Sequence, residues 1–213
     1  MTTGWSGAAK RNAAKRARSD RDDPGPAPSR DVLHEAALAY LARGAATAAT
    51  LTRVLDRKVA TWARKAARAA REPELVAADV NACKGSIEAI VGRFREVGLV
   101  NDAAYAESRA RSLSRAGRSR RAISAHLAAK GVDAETARQA VPTDAGSELA
   151  AALAFARKRR IGPYAREAAV DPKTKQKAIA AMARAGFDWS TCERALRMDR
   201  DEADERLHEH LRY

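Results

Sequence analysis

The run GLVNDAAYAESRARSLSRAGRSRRAISAHLAAKGV, Gly98 to Val132, decides the fold. Gly98 ends a helix whose apolar stripe is Ile87, Ile90, Val91, Phe94 and Val97, and Leu99 and Val100 then fold back onto that helix end. Asn101 or Asp102 caps the next helix, which turns Tyr105, Ala106, Ala110 and Leu113 inward and stops near Gly117. A further helix carries Ile123 and Leu127 and ends at Lys130-Gly131-Val132, a left-handed glycine with a hydrophobic residue behind it. Asp133 restarts the chain as an N-cap, and Ala137, Ala140 and Val141 form the next apolar face. Apolar residues recur here at helical spacing, so the segment reads as packed helices.

The same run is basic. From Ser108 to Lys130 it holds Arg109, Arg111, Arg115, Arg118, Arg120, Arg121 and Lys130 and no acid. Leu149 to Arg166 is likewise acid-free, with Arg157, Lys158, Arg159, Arg160 and Arg166, and Lys173, Lys175 and Lys177 follow. Rows of Arg and Lys on helices neutralise phosphates and release counterions, which gives sequence-independent, salt-sensitive binding to nucleic acid. Tyr164, in the helix-breaking Ile161-Gly162-Pro163-Tyr164, adds a ring that could stack on a base. No base-reading helix-turn-helix signature stands out, so sequence-specific recognition is not expected. The opposing interpretation of these rows is an ordinary solvated helix face in an Ala/Arg-rich chain.

Working outward, Gly131-Val132-Asp133 and Ala140-Val141 reappear 55 positions later as Gly186-Phe187-Asp188 and Ala195-Leu196, with Leu127 falling on Met182. At this offset Arg118 and Arg120 fall on Lys173 and Lys175. Moving back by 72 places Ile123, Leu127 and Lys130 on Leu51, Leu55 and Lys58. The expected organisation is a disordered basic tail over 1–30, then a first three-helix unit over 31–85. That unit includes a helix from Asp31, a stripe at Leu51 to Val59, an Ala/Arg-rich segment at Trp62 to Ala70, and a loop or insertion between Glu72 and Gly85. A second three-helix unit over 86–142 and a third over 147–198 follow, with an acidic C-terminal helix or tail over 199–213. The expected core is Phe94, Leu99, Tyr105, Leu113, Ile123, Leu127 and Phe187.

Composition agrees with thin helical modules. The chain has 213 residues and a formal net charge of +13, and 52 of its residues are Ala. Leu, Ile, Val and Phe supply only 33 residues, too few for one thick core. Alanine and arginine are strong helix formers, however, and β-branched residues are scarce. The expected architecture is all-α, an elongated array of tandem three-helix repeats that lean on one another. No run approaches the roughly 20 apolar residues of a membrane span, and no signal-peptide core is visible, so a cytoplasmic protein without membrane contact is expected. Cys83 and Cys192 lie far apart without metal spacing and read as small hydrophobes. The sequence has no Gly-rich phosphate loop, no HExxH, no GxSxG and no ligand-spaced His, Cys or carboxylate cluster. Neither catalysis, a cofactor nor a metal is expected.

The segment from Gly98 to Val132 resembles the RecX regulatory proteins. The resemblance is carried by Gly98, Leu99, Asp102, Tyr105, Ala106, Gly117, Arg120, Arg121, Leu127, Lys130 and Gly131, and it extends to Ala37–Val59 and Ala150–Tyr164. Such a resemblance implies tandem three-helix repeats that bind the RecA recombinase filament on DNA, lodge in its groove and inhibit it without catalysis. It places the chain in homologous recombination, DNA repair and the SOS response, acting as a monomer. The basic residues named above would then meet the RecA filament or DNA. The alternative is a sequence-nonspecific DNA-binding architectural protein that acts without RecA.

Overall fold

The computed structural model describes residues 24–166 and 172–212. The basic run before Pro24 lies outside the described residues. The chain forms two compact units, 1–100 and 101–213, and all its described regular structure is helical.

The first unit contains α1 (Arg30–Leu41), α2 (Ala48–Arg68) and α3 (Pro73–Glu96). Ser29 Oγ accepts the Val32 N–H, and Thr47 Oγ1 accepts the Thr50 N–H, so each of the first two helices begins on a side-chain cap. Leu33 and Ala37 of α1, Leu51, Leu55 and Val59 of α2, and Ile87, Ile90, Val91 and Phe94 of α3 close the core. Leu51 and Leu55 are buried as the repeat comparison predicts, but α2 runs on to Arg68 instead of ending near Val59. Val59, Trp62 and Ala66 continue its buried stripe, so the segment expected as a separate helix is the second half of α2.

Three sequence expectations change here. Residues 73–85 are helix, not a loop: Pro73 occupies the first helical turn, where its missing N–H is harmless, and Cys83 is buried in the core. The last turns of α3 complete this first core, so the boundary expected at 85/86 lies at Val100/Asn101. Finally, residues 24–29 are docked and not part of a tail. Trp62 Nε1 donates to the Gly25 carbonyl at 3.2 Å, and Cys83 Sγ donates to the Pro28 carbonyl at 3.3 Å.

The second unit holds two repeats. The earlier comprises α4 (Asp102–Arg115), α5 (Arg120–Ala129) and α6 (Ala134–Ala140) around Ala106, Ala110, Ile123, Leu127, Val132, Ala137 and Val141. The later comprises α7 (Ala145–Arg159), a 3-10 turn at Gly162–Tyr164, α8 (Pro172–Arg184) and α9 (Trp189–Arg197). Its core includes Leu149, Leu153, Tyr164, Ile179, Met182, Phe187 and Cys192. A closing helix, α10 (Arg200–Arg212), sends Ala203 and Leu207 into that same core, so the acidic end is a packed helix.

The 55-residue correspondence is a repeated turn. Val132 N–H donates to the Leu127 carbonyl at 3.1 Å, and Phe187 N–H donates to the Met182 carbonyl at 3.2 Å. Gly131 and Gly186 supply the positive φ between helices, and the Asp133 and Asp188 carboxylates accept the N–H groups of Thr136 and Thr191. At the end of α3 the turn is one residue wider, because Val100 N–H reaches back to the Phe94 carbonyl. Val100 is consequently buried, whereas Leu99 is 48% exposed and is not a core residue. Phe94, Ile123, Leu127 and Phe187 are buried as expected, and Tyr105 and Leu113 pack half-buried against the α4–α6 core.

Candidate interaction surface

The basic residues of the second unit do not form one uniform group. Arg109, Arg111 and Arg115 are exposed on α4, Arg118 precedes α5, and Arg121 lies in its first turn. Arg109 Nε donates to His126 Nε2 at 3.2 Å, which joins α4 to α5. Burial first, then the charges of Arg109, Lys130 and Arg118, hold the His126 pKa below the ordinary imidazole range. That direction favours the neutral imidazole, which accepts the hydrogen bond from Arg109. Arg111 pairs loosely with Glu107 at 3.9 Å, an exposed contact that contributes little.

Arg120 is different. Its backbone N–H donates to Glu148 Oε2 at 3.0 Å, its Nε lies 3.4 Å from the same oxygen, and its Nη1 donates to the Thr143 carbonyl at 2.8 Å. Glu148 is 95% buried, since its side chain is only 5% exposed, and burial pushes its pKa up against the opposing pull of Arg120. Arg120 therefore anchors α5 to α7, with its guanidinium committed to Glu148 and the Thr143 carbonyl. Ser119 completes the joint by accepting the Ala122 N–H and donating to the Ala185 carbonyl at 2.7 Å. Gly117 allows the close approach, because a Cβ there would sit 2.7 Å from the Phe155 nitrogen. The sequence signal for this joint was present in Ser119 before the basic pair and in an acid, Glu148, at the edge of an acid-free run. Only the fold brings them together.

The later cluster also divides. Lys158 Nζ donates to the Ala116 carbonyl at 2.8 Å and so closes the C-terminal end of α4, where a cation is favoured. Arg159 lies over the Phe155 ring, with its guanidinium carbon 5.6 Å from the centroid. Arg157 and Arg160 are exposed beside them, and Arg160 ends α7 in the left-handed region at φ +54°. Arg166, Lys173, Lys175 and Lys177 are exposed, the three lysines along the first turns of α8. Tyr164 is not a stacking platform: it is buried, its hydroxyl donates to Asp204 Oδ1 at 2.9 Å, and its pKa is pushed up to about 12. Among the described residues the large aromatic side chain left open is Trp189, 62% exposed at the start of α9.

Among the described residues no three His, Cys, Asp or Glu side chains converge as a metal site. No helix among them is long and apolar enough to cross a membrane.

The fold and surface define an all-α protein of three-helix repeats that presents arginines from paired short helices. Residues 101–141, which are α4 to α6 with their connections, match the family described as RecX, second three-helix domain. The chain is 36% identical over 166 residues to the regulatory protein RecX of Myxococcus xanthus, covering 77% of this chain and 83% of that protein. It is 41% identical over 108 residues to RecX of Agrobacterium fabrum, covering 51% of this chain and 57% of the relative. Against RecX of Neisseria meningitidis serogroup A it is 40% identical over 116 residues, covering 54% and 71%. The chain belongs to the RecX family of regulatory proteins.

Proposed function

We propose that this protein regulates the RecA recombinase by binding its filament on DNA and inhibiting it, and that it acts by occupancy without catalysis. RecX family membership supports this reading, and the observation that carries it is the cationic face of α4 and α5. Arg109, Arg118 and Arg121 supply planar, permanently charged donors suited to the carboxylates of a protein surface or the phosphates of its bound DNA. Arg157 and Arg160 extend the set. Such a protein works as a monomer in the cytoplasm, within homologous recombination, DNA repair and the SOS response.

The test is a pull-down against RecA filaments assembled on DNA, with RecA alone and DNA alone as controls. Retention by the filament well above either control is expected. Equal retention by naked DNA at physiological salt supports the second reading, a sequence-nonspecific architectural DNA binder, which the +13 net charge favours.

A further inference from the structure

The first unit carries a charged surface that the reading above does not use. Helix α2 bears Arg53, Arg57, Lys58, Arg64, Lys65 and Arg68 against one acid, Asp56. Its neighbour α3 is nearly balanced, with Glu74, Asp79, Glu88 and Glu96 set against Lys84, Arg93 and Arg95. The four arginines of α2 stand at i, i+4, i+11 and i+15. At 3.6 residues per turn they fall within a sector of about 60° and form a straight row about 22 Å long. All four are exposed, opposite the buried stripe of Leu51, Leu55, Val59, Trp62 and Ala66. Their neighbours on the row are small: Ala60, Thr61 and Ala67, also exposed.

Local bonds hold part of the row in place. Arg53 Nε donates to the Ala49 carbonyl at 3.1 Å, Arg64 Nη2 donates to Thr61 Oγ1 at 3.2 Å, and Thr61 Oγ1 donates to the Arg57 carbonyl at 2.7 Å. Beside the row, Pro24, Pro26, Val32, Trp62, Lys58 and Lys65 line an open cleft of about 400 Å³, formed where the N-terminal strap crosses α2.

We infer that the α2 face is a binding site for single-stranded nucleic acid, with the strand's phosphates along the arginine row and an unstacked base at the apolar cleft edged by Lys58 and Lys65. Arginine forks match phosphate oxygens and keep their charge at any working pH. Among the described residues of this unit the exposed large apolar side chains are Val32, Leu38, Leu75, Val97 and Leu99; Val32 edges the cleft and none is on α2 itself, so the row offers charge to a phosphate chain and little apolar area to a protein partner. A duplex backbone curves away from a straight row within a fraction of a turn, whereas an extended single strand can follow it.

The experiment uses the full chain and a fluorescein-labelled oligo(dT), with anisotropy read between about 50 and 200 mM salt. The variants are Arg57→Glu/Arg64→Glu/Arg68→Glu and the charge-neutral Arg57→Gln/Arg64→Gln/Arg68→Gln. The second removes the charge but keeps a flexible polar side chain of good helix propensity, and it reads the site even if the reversed form folds poorly, with circular dichroism checking helicity. For the Gln variant we expect oligo(dT) affinity to fall at least about tenfold, and the slope of log K against log[salt] to lose about 2, at roughly 0.7 per phosphate contact. A duplex of equal length should lose distinctly less. Unchanged affinity and slope would overturn the assignment, and an equal loss on duplex would overturn its single-strand character. Loss of binding to DNA-free RecA with oligo(dT) affinity intact would instead make the row a protein contact and overturn the inference. Arg109→Glu/Arg118→Glu, measured alongside for filament inhibition, tests the second-unit reading separately.

Discussion

The two repeats of the second unit share one turn and differ in what they pack around it. Val132 and Phe187 occupy the same place, each behind a left-handed glycine and ahead of an Asp cap. Around Val132 the buried partners are three alanines and three aliphatic side chains, Ile123, Leu127 and Val141, with Tyr105 and Leu113 partly buried at the edge. Around Phe187 they include Leu149, Leu153, Met182, Cys192 and a T-shaped contact with Phe155 at 5.7 Å. The later repeat also gains α10, and the central residues of its α7, Glu148 to Ala154, are buried where α4, α9 and α10 pack on it. The later repeat thus supplies more of the apolar area, both repeats present cations, and the two are joined through Gly117, Ser119, Arg120 and Lys158.

The sharpest challenge to that contrast is truncation at the shared position. Phe187→Ala is expected to cost about 3–5 kcal/mol, and Val132→Ala about 1–2 kcal/mol, set by its smaller buried area. Denaturant midpoints of the full chain measure both, and equal costs would show that the repeats share the load evenly. Next in size, Arg120→Ala should destabilise by about 1–3 kcal/mol, because it removes the guanidinium that balances a buried carboxylate and leaves only the backbone N–H of residue 120 to bond it, while the guanidinium itself is partly solvated. In a double-mutant cycle with Glu148→Ala the two losses should overlap, and additive losses would mean that the contact does not join the repeats.

The smallest effect is on pH dependence. Hydrogen bonds from Ser190 and Thr191 hold the Asp188 pKa down to about 2, below its unfolded value. That stabilisation is present above the unfolded carboxylate pKa near 4 and is lost as pH falls toward 2. Asp188→Ala should flatten the acid limb of the stability curve in that window, and an unchanged limb would show that the cap is not coupled to folding.

How far the residues disclose these features depends on whether the signal is local. Glycine turns, Asp caps and apolar stripes act within one helix end, so the repeat at Gly131 and Gly186 is legible before any fold is known. Leu99 and Val100 exchange roles because one added residue in a turn alters which side chain faces inward, and spacing does not reveal turn width. Pro73 reads as a breaker in sequence but initiates a helix, and only the packing of Cys83 and Ile87 against α2 settles which. The basic rows are plain in sequence. That Arg120 belongs to Glu148, or that Tyr164 is sealed against Asp204, depends on contacts across 28 and 40 residues. Nothing short of the tertiary fold separates the cations that hold the molecule together from those that face outward.

The most direct measurement of the central claim is RecA-driven ATP hydrolysis on single-stranded DNA, titrated with wild type and with Arg109→Glu/Arg118→Glu/Arg121→Glu. Arg120 is left intact so that the joint to α7 survives. The wild-type chain should suppress hydrolysis and the reversed chain should fail to do so while keeping its helicity. Equal suppression by both would contradict the assignment of the α4–α5 face as the regulatory surface.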